Sequence, residues 1–323
     1  MSSSLCKLAF AVLFLSFWGE GYPQAYPSRP ITLIVTLSPG SQSDIVARLL
    51  AGHMQTSLGQ PVVVENRVGA DGMIAAEGVS KAAPDGYTLL YAVSGTLAIA
   101  PTLYAGKMRY DTEKDLAPIA QVARATFIIT ASAGLPAANL KQFIDYTRAR
   151  PRTAALGHLL GAAHLLALRT KQVTGADVAL IAYKGPPQIW TDLYGGRIHV
   201  GLETLGAAQP QIKAGKLKAL AVLGSSRSPL LPEVATVREQ GYPEMEGEGW
   251  NALLTRAGTP PAIIDRLYRE VVRIVALPDV QARLQKAGVE IKTSDPQSLA
   301  RIIREDTARW GQIIRDFGVK AEN

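Results

Sequence analysis

From Ile31 onward the residues alternate between two hydrophobic periods, and this alternation restricts what the chain can fold into more than any other feature. Ile31 to Leu37 is an apolar, β-branched run of the kind buried on both faces of a sheet. Ser41 to Leu58 then carries Ile45, Val46, Leu49, Leu50, Met54 and Leu58 on one helical stripe. The pattern continues with a strand over Pro61 to Glu65, a helix over Gly72 to Ala82, a strand over Tyr87 to Val93 and another over Ile119 to Ala123. Such a succession predicts an α/β fold with a largely parallel sheet between layers of helix.

A second series begins near Phe127. It reads as strands at 127–131, 153–157, 178–182, 198–202 and 217–223, with helices at 139–149, 163–173, 187–194 and 205–213. Gly224 to Gly249 is rich in glycine and proline; a short strand from Trp250 to Thr255 follows, then helices at 260–276, 278–287 and 295–317. The chain has 323 residues, 47% of them hydrophobic, enough to fill two cores. We therefore expect two lobes, residues 26–125 with 250–323 and residues 126–249, joined by chain crossings near Arg124 and Trp250 that form a hinge.

The first 25 residues have a different character. A short polar start with Lys7 leads into an unbroken apolar run from Leu8 to Trp18, and small residues follow at Gly19, Gly21 and Ala25. This is the layout of a secretory signal peptide, since the run is about half of the roughly 20 residues that span a bilayer. Cleavage after Gly21 or Ala25 would place the mature protein in the periplasm. Cys6, the single cysteine, falls in the removed segment, so disulfides, thiolate metal sites and cysteine nucleophiles are excluded from the mature chain.

The formal charge is +7, and it is unchanged when Lys7 and Glu20 leave with residues 1–25. The densest basic group, Arg148, Arg150 and Arg152, is interrupted by Pro151 and has few aromatic neighbours, which argues against nucleic acid as a partner. A dispersed positive field instead favours small anionic solutes.

Two turns are candidates for binding. Leu37 to Asp44 joins a buried strand to an amphipathic helix, and the backbone N–H groups of Gly40, Ser41, Gln42 and Ser43, beside Ser38 and Asp44, could hold a carboxylate at the helix start. Ser41 and Asp44 also match a capping pattern that would satisfy the same donors internally. Ser94 and Thr96 stand at the carboxyl end of another strand, where open α/β sheets place their ligands, and their hydroxyls could equally close a local turn.

Enzyme constellations are missing. There is no Walker loop, no H-E-x-x-H and no G-x-S-x-G elbow. Gly247-Glu-Gly-Trp-Asn-Ala252 loosely matches a dinucleotide fingerprint but precedes a strand. The four histidines, His53, His158, His164 and His199, read as hydrogen-bonded structural residues; His158 and His164, six apart, cannot share a helical face as a zinc pair would. No cofactor or metal is expected.

Several strings carry a family resemblance: Tyr26-Pro-Ser-Arg-Pro-Ile31, Pro39 to Asp44, Gly59-Gln-Pro-Val-Val-Val-Glu-Asn-Arg67 and Pro84-Asp-Gly-Tyr-Thr-Leu89. Ala182-Tyr-Lys-Gly185, Asp192-Leu-Tyr-Gly-Gly196, Ile212 to Ala221 and Gly258-Thr-Pro260 extend it over the whole mature chain. Together they resemble the tripartite tricarboxylate transporter binding proteins, the Bug/TctC family. The resemblance implies a two-lobed Venus-flytrap fold of the type II-like periplasmic kind. It also implies a monomeric, non-enzymatic receptor that delivers a small organic acid to membrane permease subunits or, in some members, to a sensor kinase.

The family's first carboxylate loop matches residues 37–44, with Ser41 in place of a second glycine and Asp44 at the aspartate. Its second loop falls on Gly161-Ala162-Ala163-His164, where the usual hydroxyls are absent, and upstream His158-Leu159-Leu160 replaces Gly-x-Gly. Glu203 stands at the family's pocket-facing aspartate. These departures predict a ligand with one carboxylate and an apolar or aromatic body, provided Leu159 and Leu160 line the cleft. Two rivals stay open: an exported protein that presents a ligand to a membrane sensor, and an exported α/β hydrolase or lyase.

Overall fold

The computed structural model describes residues 26–151, 153–159 and 161–321. The leader with Cys6, Arg152 of the basic group and Leu160 lie outside the described residues. In chain order the elements are β1 (Ile31–Val35), α1 (Gln42–Leu58), β2 (Val62–Asn66), α2 (Met73–Ser80) and β3 (Thr88–Val93). A π-helical turn, Gly95–Ile99, then runs into α3 (Ala100–Leu103), followed by α4 (Thr112–Asp115), β4 (Leu116–Ser132), α5 (Leu140–Ala149), β5 (Ala154–Leu159) and α6 (Ala162–Thr174). Next come β6 (Val178–Tyr183), α7 (Pro186–Tyr194), β7 (Val200–Thr204), α8 (Leu205–Lys213) and β8 (Leu217–Val222). The chain closes with β9 (Glu248–Arg256), α9 (Pro261–Val275), α10 (Pro278–Lys286), β10 (Glu290–Ser294) and α11 (Pro296–Asp316).

The strands run in the order β2-β1-β3-β9-β4-β7-β5-β6, with β8 and β10 also paired to β4. The expected largely parallel sheet is in fact mixed. β1 pairs parallel with β2 and β3, and β5 with β6 and β7, whereas every pairing of β4 and β9 is antiparallel. The two strands read at 119–123 and 127–131 are one. β4 pairs with β9 as far as Thr126 and with β7 and β8 from Phe127 onward, so a single strand carries the chain from one sheet to the other. Pro118 does not interrupt it because the ladder shifts register beside that residue.

Core packing follows the periods. Ile31, Leu33 and Val35 face α1, α9 and α10, whereas Ile34 faces the opposite core. β1 is therefore apolar throughout because both of its faces are covered. On α1, Val46, Leu50, Met54 and Leu58 are buried as expected, but Ile45 is exposed. The second core continues across the crossing strands, from Leu90 and Trp310 to Phe127, Phe143, Leu156 and Leu166. Among the described residues no helix is long and apolar enough to cross a membrane.

Candidate functional site

A cavity of about 580 Å³ opens where β4 and β9 cross between the sheets. One wall comes from the carboxyl ends of three parallel strands: Thr36 and Leu37 after β1, residues 68–72 after β2, and residues from Ser94 to Leu103 after β3. Ala125 and Phe127 of β4 and Gly249 to Asn251 of β9 supply the strand crossing. Gly161 and Ala162, at the start of α6, face in from the second sheet's elements. Strand ends at a change of sheet are where α/β proteins place ligands. A second hollow of about 660 Å³ is lined only by second-series residues such as Asn139, Lys141, Lys218 and Glu233, and by none of the candidate binding residues named from the sequence.

The wall after β2 has an unusual backbone. Gly69, Ala70, Asp71 and Gly72 all have positive φ, at 129°, 45°, 52° and 83°. For Ala70 and Asp71 this costs on the order of 1 kcal/mol or more each, and it persists only because the surroundings hold it. Thr96 Oγ1 donates to the Asp71 carbonyl at 2.7 Å, and the Tyr104 hydroxyl donates to Asp71 Oδ2 at 2.6 Å. Gly72 is required by proximity, since a Cβ there would lie 2.3 Å from Thr96 Oγ1 and 2.8 Å from Thr36 Cβ.

At α6 the chain enters the helix through Gly161, with φ 67° and ψ −130°, and no side chain caps the start. The Gly161 carbonyl accepts from the His164 N–H at 3.0 Å. Ala162 and Ala163 open a 13-residue helix, so the positive end of its dipole points at the cavity with no acid in its first turn. Ala162 lines the cavity; Ala163 is buried.

The first sequence-predicted loop is arranged differently. Ser41 Oγ accepts from the Asp44 N–H at 3.2 Å, while Asp44 Oδ2 accepts from the Gly40 N–H at 2.9 Å. These bonds are the internal capping that the Ser41–Asp44 spacing allowed. Asp44 also takes Arg48 Nε on Oδ2 and Asn66 Nδ2 on Oδ1. Burial alone would raise its pKa, but these donors together hold it below the ordinary value. Gln42 reaches the carbonyls of Ala287 and Gly288, and Ser43 Oγ accepts from Asn251 Nδ2 at 2.6 Å. Ser38, Gly40, Ser41, Gln42, Ser43 and Asp44 are not on the cavity wall; the loop reaches it through Thr36, Leu37 and the Ser43–Asn251 bond.

Ser94 and Thr96 are on the wall. Ser94 Oγ accepts from the Trp250 backbone N–H at 3.4 Å, and Thr96 holds Asp71. His158 and His164 meet although they come from a strand and a helix: His164 Nδ1 lies 3.4 Å from His158 Nε2, and His158 Nδ1 lies 3.0 Å from the Leu159 carbonyl. Burial, aided by the neighbouring His164, lowers the His158 pKa against the pull of that carbonyl. Both flank the α6 start without lining the cavity. Glu203 is 0% exposed, also off the cavity wall, and accepts from Trp190 Nε1 at 2.8 Å. Burial pushes its pKa up to about 7. Leu159 packs against the hydrophobic cores. Among the described residues no group of three or more His, Cys, Asp or Glu is placed to hold a metal.

Residues 46–319 match the model of the tripartite tricarboxylate transporter family receptor, TctC. The chain belongs to that family of receptors. It is similar to Protein BugT of Bordetella pertussis, 35% identical over 319 residues that cover 97% of this chain and 98% of the relative. Among solved structures, a protein of R. palustris with adipate is 31% identical, covers 91% of this chain and 99% of its own, and superposes with a TM-score of 0.76. MatC from Rhodopseudomonas palustris, with bound malate, is 29% identical, covers 90% and 100%, and gives 0.72. The fold of this TctC receptor is accordingly the two-lobed Venus flytrap.

Asp71, Phe127, Trp250 and Asn251 are among the wall residues of the TctC receptor that were not named as binding candidates from its sequence. Asp71 had a local signal, a Gly-x-x-Gly turn directly after a strand. Phe127 and Trp250 sit at the two crossings, but nothing local distinguishes them from core aromatics. Trp250 is held in place by Asp306, whose Oδ2 accepts its indole N–H at 2.6 Å.

Proposed function

We propose that this receptor binds a small organic acid between its lobes, in the periplasm, and passes it unaltered to the membrane subunits of a tripartite transporter. The lobes are residues 26–125 with 250–323 and residues 126–249, the two segments that β4 and β9 connect. The uncapped start of α6 on the cavity wall carries this reading. Its backbone N–H groups and helix dipole suit one carboxylate. The relatives solved with adipate and malate support an acid ligand.

The rest of the wall is mostly apolar, with Leu37, Val93, Ile99, Leu103, Phe127 and Trp250. A ligand body covering these side chains gains about 25 cal/mol per Å². That favours one carboxylate on an apolar or aromatic body. The apolar surface comes from the first lobe and the crossing strands instead of from Leu159. A hydrolase would need a nucleophile beside a base on this wall, and Ser94 faces the Trp250 N–H with no histidine among the described residues that line the cavity.

A ligand touching both lobes favours the closed form, which the permease then recognises. Calorimetry with benzoate, nicotinate, adipate, succinate and citrate should rank the monocarboxylates with rings first and citrate last. X-ray scattering should show a smaller radius of gyration with the best ligand, and mass spectrometry should return that ligand unchanged. Turnover of any of them, or binding without compaction, would contradict the proposal.

A further inference from the structure

Among the described residues lining the cavity, Asp71 is the only one with a charged side chain; no Lys, Arg or His faces the space. An acid receptor with a lone carboxylate in its cleft repels a second anionic end of the ligand. Asp71 is also kept there against its backbone preference, at φ 52°, by Thr96 on its carbonyl and Tyr104 on Oδ2. Its Oδ1 accepts no hydrogen bond from the described residues. A backbone pinned by Thr96 and a carboxylate aimed by Tyr104, with an acceptor left over, are arranged to receive a donor.

We infer that Asp71 is a specificity-determining residue that takes an ammonium or amide N–H of the ligand, so that the solute is an amino- or amide-bearing monocarboxylate. This rests on the carboxylate reading of the same cavity. The ligand's carboxylate occupies the α6 start on one side, its apolar middle covers Phe127 and Trp250, and its nitrogen meets Asp71 after the first strands. A dicarboxylate of equal length presents an anion to an anion at that end.

Matched pairs test the assignment: γ-aminobutyrate against succinate and ε-aminocaproate against adipate, each titrated by calorimetry into wild type, Asp71→Asn and Asp71→Gly. Both replacements tolerate positive φ, and thermal melts confirm folding. Wild type should favour the amino member of at least one pair by about tenfold or more, the increment of one charge-assisted hydrogen bond. Asp71→Gly should erase that preference, and Asp71→Asn should reduce it. If the folded wild type binds diacids at least as tightly as their amino partners, or if the preference survives in both variants, Asp71 does not select the ligand, and the carboxylate reading stands. If no acid in either pair binds while benzoate or nicotinate does, the Asp71 assignment falls alone; if none of these acids binds, both readings fall.

Discussion

Glu203 shows how much a single buried group can change the chemistry of a lobe. The Thr130 hydroxyl lies 2.9 Å from Glu203 Oε1 and 3.2 Å from the Gly201 carbonyl, and its one proton cannot serve both. A protonated carboxyl that donates to Thr130 and accepts from Trp190 resolves the conflict. The folded pKa of about 7 exceeds the ordinary 4.5, so the folded protein holds this proton more tightly than the unfolded chain. That contribution to stability is complete below the ordinary value and is lost as the pH rises through about 7. Glu203→Gln keeps the neutral donor and acceptor at all pH values. Denaturant unfolding should show the variant about 2 to 3 kcal/mol more stable than wild type at pH above 8, with the difference vanishing under acid conditions.

At the scale of elements, the two strand-to-helix turns compared in the sequence divide the work. The α1 start is closed by Ser41 and Asp44, whereas the α6 start carries no capping side chain and faces the cavity. Proline is accommodated at the first position of a helix, where its missing N–H leaves no internal bond broken. Ala162→Pro therefore removes one donor from the α6 end while leaving the helix formed. Affinity for the best carboxylate should fall about tenfold, the loss of one hydrogen bond to a charged group, with an unchanged far-UV spectrum. Unaltered affinity would move the anion site away from α6.

Across the whole molecule, Arg124 links β9 and β10 of the first sheet to the loop after β8 at the strand crossing. Its guanidinium contacts Glu290 of β10 at 2.8 Å, Glu248 of β9 at 3.3 Å and Ser226 Oγ, in the loop after β8, at 3.1 Å. The Arg124 side chain is 9% exposed and that of Glu290 4%. Breaking such a pair leaves a buried charge without its partner, so Arg124→Ala should destabilise the protein by about 3 to 5 kcal/mol in denaturant titrations. A loss below about 1 kcal/mol would show that water enters this region freely.

The elements were legible because hydrophobic period, capping residues and turn glycines act over a few neighbours. The run from Ile31, the α1 stripe and the Ser41–Asp44 cap were all readable locally, and the ordered motifs identified the family. Partner-dependent features were not readable in this way. A continuous β4, the antiparallel β9 and the short polar β10 depend on which strands lie alongside, and Ile45 is exposed because α1 turns its apolar stripe by one residue. The cavity depends on such pairing most of all. Asp71, Phe127, Ala162 and Trp250 come from four distant segments, and only the meeting of strand ends with a helix start makes them neighbours. The pKa of Glu203 was hidden for the same reason: desolvation belongs to the packed lobe and not to the residues beside it in the chain.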